Sequence, residues 1–269
     1  MEKPRIGIFS LTGCGGDQLM ILNLEDELLD LLSHFDIKSF QEASSYEETT
    51  TELDIAFVEG SVSTKTDLER LKEIRNRCKL LIALGDCAID GCVQAMRNQQ
   101  MTIAEKMRKV YGVEEDYYDV LEPKGLAAHV KVDIKIPGCP IEKTEVLHAI
   151  ISLLHGDMPE AIDYPVCVEC KLNEYPCVII EKDMPCLGPI TTAGCDARCP
   201  GLGLDCIGCR GPIKDEANAA EELNLLSEKG FDFEYIANRL RFFGGNFEEI
   251  VKLTGSLKKK IGEGGQTDE

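Results

Sequence analysis

Eight of the chain's 13 cysteines fall in one short stretch, "CVECKLNEYPCVIIEKDMPCLGPITTAGCDARCPGLGLDCIGC". They are Cys167, Cys170, Cys177, Cys186, Cys195, Cys199, Cys206 and Cys209. A C-x2-C pair opens the stretch and another closes it. Eight thiolates make two sets of four, and four thiolates are what one [4Fe–4S] cluster takes. A spacing of two lets one loop reach two corners of a cluster while its backbone N–H groups point at sulfide. Two Cys₄ zinc sites would use the same number of ligands. Zinc ribbons, however, place two C-x2-C pairs at each site, and this stretch has two in total. The gaps of six, eight, eight, three and six residues favour clusters over zinc. Eight free thiols so close together exceed any packing need.

Three more cysteines stand where apolar runs end: Cys14 in "TGCGGDQ", Cys87 in "LGDCAIDGC" and Cys139 in "IPGCPI". In a parallel α/β sheet the carboxyl ends of the strands meet at one crevice. Three thiolates could converge there on a further cluster. The fourth corner has three candidates: Asp17, where a C-x2-C motif would put a thiolate; Cys92, five residues after Cys87; or an open, water-filled position. A carboxylate binds iron but is a harder ligand than thiolate. Asp17 also stands where a helix begins, and Asp is a favoured N-cap. Glu59 ends another strand at the same rim and is read as an ordinary loop carboxylate or a polar contact. Cys78, after a charged helix, is read as a plain thiol.

The elements that must hold these residues alternate. "RIGIFSL" (5–11), "DIAFVEG" (54–60), "KLLIALGDC" (79–87) and "VKVDIKIPGC" (130–139) read as strands. Helical spacing covers 19–32, 64–77 and 143–156. Strand–helix alternation predicts an α/β, flavodoxin-like doubly wound parallel sheet over residues 1–158. Residues 159–214 are rich in Cys, Gly and Pro and too poor in apolar residues for a core without metal. Residues 215–269 return to helix in "ANAAEELNLLSEKG" and "FDFEYIANRLRFFGG", then end in a polar tail.

Composition narrows the function. The 269 residues carry a formal charge of −19, which argues against nucleic acid and anionic membrane as partners. No apolar run reaches the roughly 18–20 residues that span a bilayer. The start "MEKPRIGIFS" shows neither a secretory apolar region nor a twin-arginine pair, so a cytoplasmic location is expected. An odd number of cysteines in that compartment points to metal and not to disulfides. "TGCGGD" is not a G-x-G-x-x-G fingerprint, so no nicotinamide site is expected on this chain.

The stretches "FVEGSV", "LGDCA", "PGCP", "CVEC", "PCLGPITTAGC", "CPGLG" and "CIGCRGP" resemble the small subunit of a [NiFe] hydrogenase. The likeness runs from about Arg5 to Pro212 and is nearest to the cytoplasmic group. That group comprises the delta subunits of NAD(P)-linked sulfhydrogenases and the small subunits of F420-reducing and heterodisulfide-reductase-linked enzymes. The resemblance implies a proximal cluster on Cys14, Cys87 and Cys139, beside the Ni–Fe centre of a separate large subunit. It implies a distal cluster on Cys167, Cys170, Cys177 and Cys186, and a medial one on Cys195, Cys199, Cys206 and Cys209. Three [4Fe–4S] clusters follow. The family usually has a second Cys where this chain has Asp17, though some cytoplasmic relatives are similar in using a carboxylate there.

The resulting expectation is an electron relay between the large subunit and a flavin/NAD(P)-binding or further iron–sulfur subunit. A heterodisulfide reductase or F420-reducing partner is the alternative acceptor. No catalytic residue and no nickel site are expected on this chain. The related subunits of quinone-linked dehydrogenases generally carry only the proximal cluster, so the eight-cysteine stretch argues against that role. A free-standing iron–sulfur carrier would not need a large α/β domain presenting a cluster at one rim.

Overall fold

The computed structural model describes residues 3–98, 100–113, 119–213, 216–246 and 252. The chain divides into two units, Met1–Glu160 and Ala161–Glu269.

The strands are, in chain order, β1 (Arg5–Ser10), β2 (Asp36–Phe40), β3 (Leu53–Glu59), β4 (Val62–Thr64), β5 (Cys78–Leu84), β6 (Val120–Lys124) and β7 (Ile134–Ile136). Five of them form a parallel sheet in the order β2-β1-β3-β5-β7. Within that sheet the order is second, first, third, fourth, fifth, as in flavodoxin-like folds. β4 and β6 form a separate antiparallel pair. The central strands alternate between two cores. Ile6, Ile8, Phe57, Ile82 and Leu84 enter one; Phe9, Ala56, Val58, Leu81 and Ala83 enter the other. Burial on both faces is why these strands read as unbroken apolar runs.

The first unit's helices are α1 (Gly16–Leu22), α2 (Asp26–Ser33), α3 (Lys65–Arg77), α4 (Gly85–Asp90), α5 (Cys92–Ala95), α6 (Ile103–Tyr111) and α7 (Lys143–Leu154). Ile21 of α1, Leu31 of α2 and Val146 of α7 cover one face of the sheet. Leu71 and Ile74 of α3 cover the other. α3 starts at a capping box: the Thr64 hydroxyl accepts the Asp67 N–H, and the Asp67 carboxylate accepts the Thr64 N–H. Asp67 also accepts the Thr12 hydroxyl at 2.8 Å, which fixes the turn leaving β1.

Several elements differ from the sequence expectation. The apolar stretch 19–32 is two helices, broken before α2 at Glu25, whose φ is 51°. Residues 85–87 open α4 and do not extend β5. β7 is only the middle of the expected strand at 130–139. β2, β4 and β6 are additional.

The second unit contains α8 (Val166–Leu172), α9 (Val178–Lys182), α10 (Arg198–Gly201), α11 (Glu216–Glu228) and α12 (Phe233–Gly244). Leu187 and Ile190 of the cysteine stretch form one apolar cluster with Leu223 and Leu226 of α11 and Ile236 and Leu240 of α12. The C-terminal helices thereby supply core to a stretch that has little of its own. The polar tail at 262–269 lies outside the described residues. Among the described residues no helix is long and apolar enough to cross a membrane.

Candidate metal centre

Ligands of open parallel sheets bind outside the carboxyl ends of the strands, where the strand order reverses. Here that point lies between β1 and β3. Cys14 follows β1, Glu59 ends β3, Cys87 follows β5 and Cys139 follows β7. Backbone bonds lock these exits together. Leu11 N–H donates to Glu59 O at 2.8 Å, and Thr12 and Ser61 exchange bonds of 3.2 and 2.8 Å. Gly60 makes this approach possible: its φ is 92°, and a Cβ would stand 2.8 Å from the Leu11 backbone. Buried Asp86 joins the other two exits. Its N–H donates to Gly138 O at 2.9 Å, and its carboxylate accepts the Gly138 N–H at 3.4 Å.

Asp17 is buried and does not cap its helix. Gly15 is the N-cap of α1, and no side chain of the cap residue bonds the helix. Glu59 takes that role from β3, accepting the N–H groups of Asp17 at 3.3 Å and Gln18 at 3.2 Å. Glu59 is therefore a buried helix cap, not a loop carboxylate. The Asp17 carboxylate is left to accept the Ile141 N–H at 2.9 Å. It also lies against Gly85, where φ is 74° and a Cβ would overlap the carboxylate. Burial pushes the Asp17 carboxyl up to about 7; the Ile141 N–H opposes this and the Glu59 charge adds to it. Burial likewise raises Glu59, against the pull of the two N–H groups it accepts.

The thiols gather around this carboxylate. The N–H of Gly16 points at the Cys14 sulfur and lowers its pKa, but burial and the charges of Glu59, Cys87 and Asp17 leave it raised. Cys87 feels the charges of Cys139 and Asp17. Cys139 feels those of Asp17 and Glu59. Cys14 is exposed, Cys87 and Cys139 are half-buried, and Cys92 is buried. The structure thus brings Cys14, Asp17, Cys87 and Cys139 to one rim, with Cys92 beside them. Cys78 is elsewhere, a core thiol facing the Arg75 carbonyl.

In the second unit, Cys167 and Cys170 stand three apart on α8, and Cys177 is the N-cap of α9. Burial pushes Cys167 up to about 12, reinforced by the charges of Cys186 and Cys170 and, more weakly, Cys177. Burial pushes Cys170 up to about 11, with Cys186, Cys177 and Cys195 adding to it. Cys167 and Cys170 are neighbours of each other, and each also neighbours Cys177 and Cys186. Gly188 keeps space between two of them: a Cβ there would lie 3.4 Å from Cys186 Sγ and 3.5 Å from Cys167 Sγ. Of the other set, Cys206 neighbours Cys209 and also Cys186, and Cys195 neighbours Cys170. Cys199 sits in α10, where the Arg198 N–H returns to the Cys195 carbonyl at 3.3 Å.

The model of the NADH ubiquinone oxidoreductase 20 Kd subunit family matches residues 14–153. Over 239 residues the chain is 47% identical to sulfhydrogenase 2 subunit delta of Pyrococcus furiosus, which covers 89% of this chain and 98% of that one. The chain belongs to the [NiFe] hydrogenase small-subunit family. Over 256 residues it is also 30% identical to a subunit of the F420-non-reducing hydrogenase vhu of Methanocaldococcus jannaschii, covering 84% and 88% of the two chains. Among solved structures it is similar to a chain of an NAD⁺-reducing [NiFe]-hydrogenase in the H₂-reduced state. There the TM-score is 0.54 at 28% identity, over 59% of this chain and 95% of that one. As a member, the small subunit is part of an oxidoreductase acting on H₂ and works with a large subunit.

Small subunits of this family carry iron–sulfur clusters, and the residues here fit such groups. The donors are soft thiols. Backbone N–H groups are aimed at sulfur: Cys206 N–H lies 3.2 Å from Cys186 Sγ, and those of Gly16, Gly188 and Gly208 reach Cys14, Cys186 and Cys206. Among the described residues, no three or more His, Cys, Asp or Glu side chains close tightly on a single metal ion.

Sequence reading missed four residues of this small subunit. Asp86 stands next to Cys87. Gln94 reaches Cys87 Sγ at 3.5 Å. Glu169, inside the "CVEC" pair, accepts Gly194 N–H at 2.7 Å and Ala197 N–H at 3.0 Å, which pins the loop of Cys195 to α8, the helix of Cys167 and Cys170. Buried Arg210 holds the same loop, donating from Nε to Ala193 O at 2.6 Å. A polar residue between two candidate ligands is the signal that could have flagged Glu169, and an acidic residue directly before one could have flagged Asp86.

Proposed function

We propose that this small subunit holds three [4Fe–4S] clusters. Bound there, they would carry electrons between the Ni–Fe centre of its large subunit and a partner bearing flavin or further clusters. Cys14, Cys87, Cys139 and Asp17 hold the proximal cluster at the sheet rim. Cys195, Cys199, Cys206 and Cys209 hold the medial one, and Cys167, Cys170, Cys177 and Cys186 the distal one. Asp17 supplies the fourth proximal ligand. What supports it is the position of its carboxylate: anchored by the Ile141 N–H, released from capping by Glu59, and placed among three thiols. The complex works in the cytoplasm, and the acceptor side is an NAD(P)-linked flavin subunit. That acceptor is supported by the likeness to the NAD⁺-reducing enzyme.

The convergence of Cys14, Asp17, Cys87 and Cys139 at one sheet rim carries the proposal. Its test is anaerobic exposure of the purified complex to H₂, followed by EPR and Mössbauer spectroscopy. The expected result is reduction of three four-iron clusters assignable to this chain. A chain whose thiols hold zinc, or whose iron stays oxidised under H₂ while the nickel centre reacts, would contradict it.

A further inference from the structure

Arg210 follows Cys209 directly and is only 3% exposed. Burying a guanidinium is costly, and backbone bonds already tie its loop down. Thr192 N–H donates to Gly211 O and Ile213 N–H to Ile190 O, both at 3.0 Å. The Thr192 hydroxyl adds a bond to Pro212 O at 3.2 Å. The Arg210 side chain reaches beyond this pairing, toward Cys195. Its Nε donates to the Ala193 carbonyl at 2.6 Å. Its guanidinium fills the place where Gly194 would carry a side chain: a Cβ there would overlap Nη2 and stand 2.8 Å from Cζ. A fixed positive charge thus sits against the two residues that lead into Cys195, on a side chain that leaves the backbone next to Cys209.

Negative charge gathers at the same place. Glu169 Oε2 lies 4.0 Å from Cys195 Sγ, while Oε1 accepts the Gly194 N–H at 2.7 Å. Burial and the Glu169 charge raise the Cys195 pKa, and the Arg210 charge opposes them. Reduction by one electron, drawn from H₂ through the large subunit, adds one further negative charge to the thiolate set. A buried cation beside that set favours the step, because local charge and burial are levers on cluster potential. We propose that Arg210 is a positioning residue whose buried charge raises the electron affinity of the cluster on Cys195, Cys199, Cys206 and Cys209, and so keeps the middle station of the relay reducible. The assignment rests on those four thiols holding one cluster, as proposed above.

The test uses Arg210→Gln, Arg210→Met and Arg210→Lys in the intact hydrogenase complex, with iron content and an anaerobic redox titration followed by EPR. The signal missing from Cys209→Ala identifies the cluster. Glutamine keeps an N–H for the Ala193 carbonyl without the charge, methionine keeps only bulk, and lysine keeps the charge. All three should hold their full iron. Glutamine and methionine should lower the equilibrium constant for reducing that cluster by roughly ten- to a hundredfold, while lysine stays within about threefold of wild type. An unshifted titration in the neutral variants would overturn the assignment. So would a lysine variant shifted as far as methionine, which would give the role to the bond with Ala193. Where methionine loses iron, glutamine decides; loss of about four irons from both would make Arg210 a structural anchor and overturn the proposal. If Cys209→Ala keeps all its iron, the fault lies in the ligand set proposed above, and the assignment falls with it.

Discussion

The carboxylate of Asp17 accepts the backbone N–H of Ile141 at 2.9 Å, across 124 residues of sequence. That bond anchors the start of α1, and with it the Cys14 turn, to the loop carrying Cys139. One side chain therefore joins the first and last strand exits of the site. It does so because Glu59 has taken over the capping of α1.

If Asp17 is the fourth proximal ligand, Asp17→Cys should retain the cluster and change its character. A thiolate is softer and alters the charge at one iron. The proximal EPR signal and midpoint potential should both move while the iron content holds. An unchanged spectrum and potential would remove Asp17 from the ligand set.

Cys139→Ala should abolish H₂-dependent reduction of the native acceptor. The clusters of Cys167–Cys209 should remain, because those thiols lie in the other unit. Iron should fall by about four per chain. Unimpaired electron flow would rule out the proximal assignment.

Glu169→Ala should strike the second unit. It removes the acceptor from two N–H groups, Gly194 and Ala197, in a buried place. Leaving both unsatisfied should cost about 2–5 kcal/mol, read from urea unfolding under anaerobic conditions. Iron should be lost from the cluster of Cys195, whose loop Glu169 holds. A stability change below about 1 kcal/mol with full iron would contradict that role.

Glu222 on α11 gives a pH dependence. It is buried near Cys167 and Cys186, and its Oε1 has no hydrogen-bond partner among the described residues. Burial pushes its pKa from an ordinary 4.5 up to about 7. The folded state thus holds the proton more tightly than the unfolded state. Stability is full below about 4.5, falls as pH rises, and levels off above about 7. Glu222→Gln should abolish that fall, leaving the variant more stable than wild type by about 3 kcal/mol at pH 8 and nearly equal at about pH 4. Parallel pH profiles for the two proteins would contradict it.

The parts legible in sequence are those with local signals. β1, β3 and β5 are buried on both faces and so read as apolar runs. α3 carries its capping box in consecutive residues, and the cysteines show their pairs by spacing. The residues that escaped depend on distant partners. β2, "DIKSF", holds Lys38 and Ser39 at a sheet edge and has too little apolar character to read as a strand. Asp17 looks like an N-cap until Glu59, 42 residues away, is seen to occupy that place. Glu169 and Gln94 act through loops that only the fold brings near.

The most direct test is an anaerobic iron and zinc count on this chain within its native complex, corrected for the partner subunits. Three clusters require about 12 irons per chain and no zinc. About 8 irons would leave the rim of Cys14, Asp17, Cys87 and Cys139 unfilled and break the relay at its first station, and zinc in place of iron would contradict electron transfer altogether.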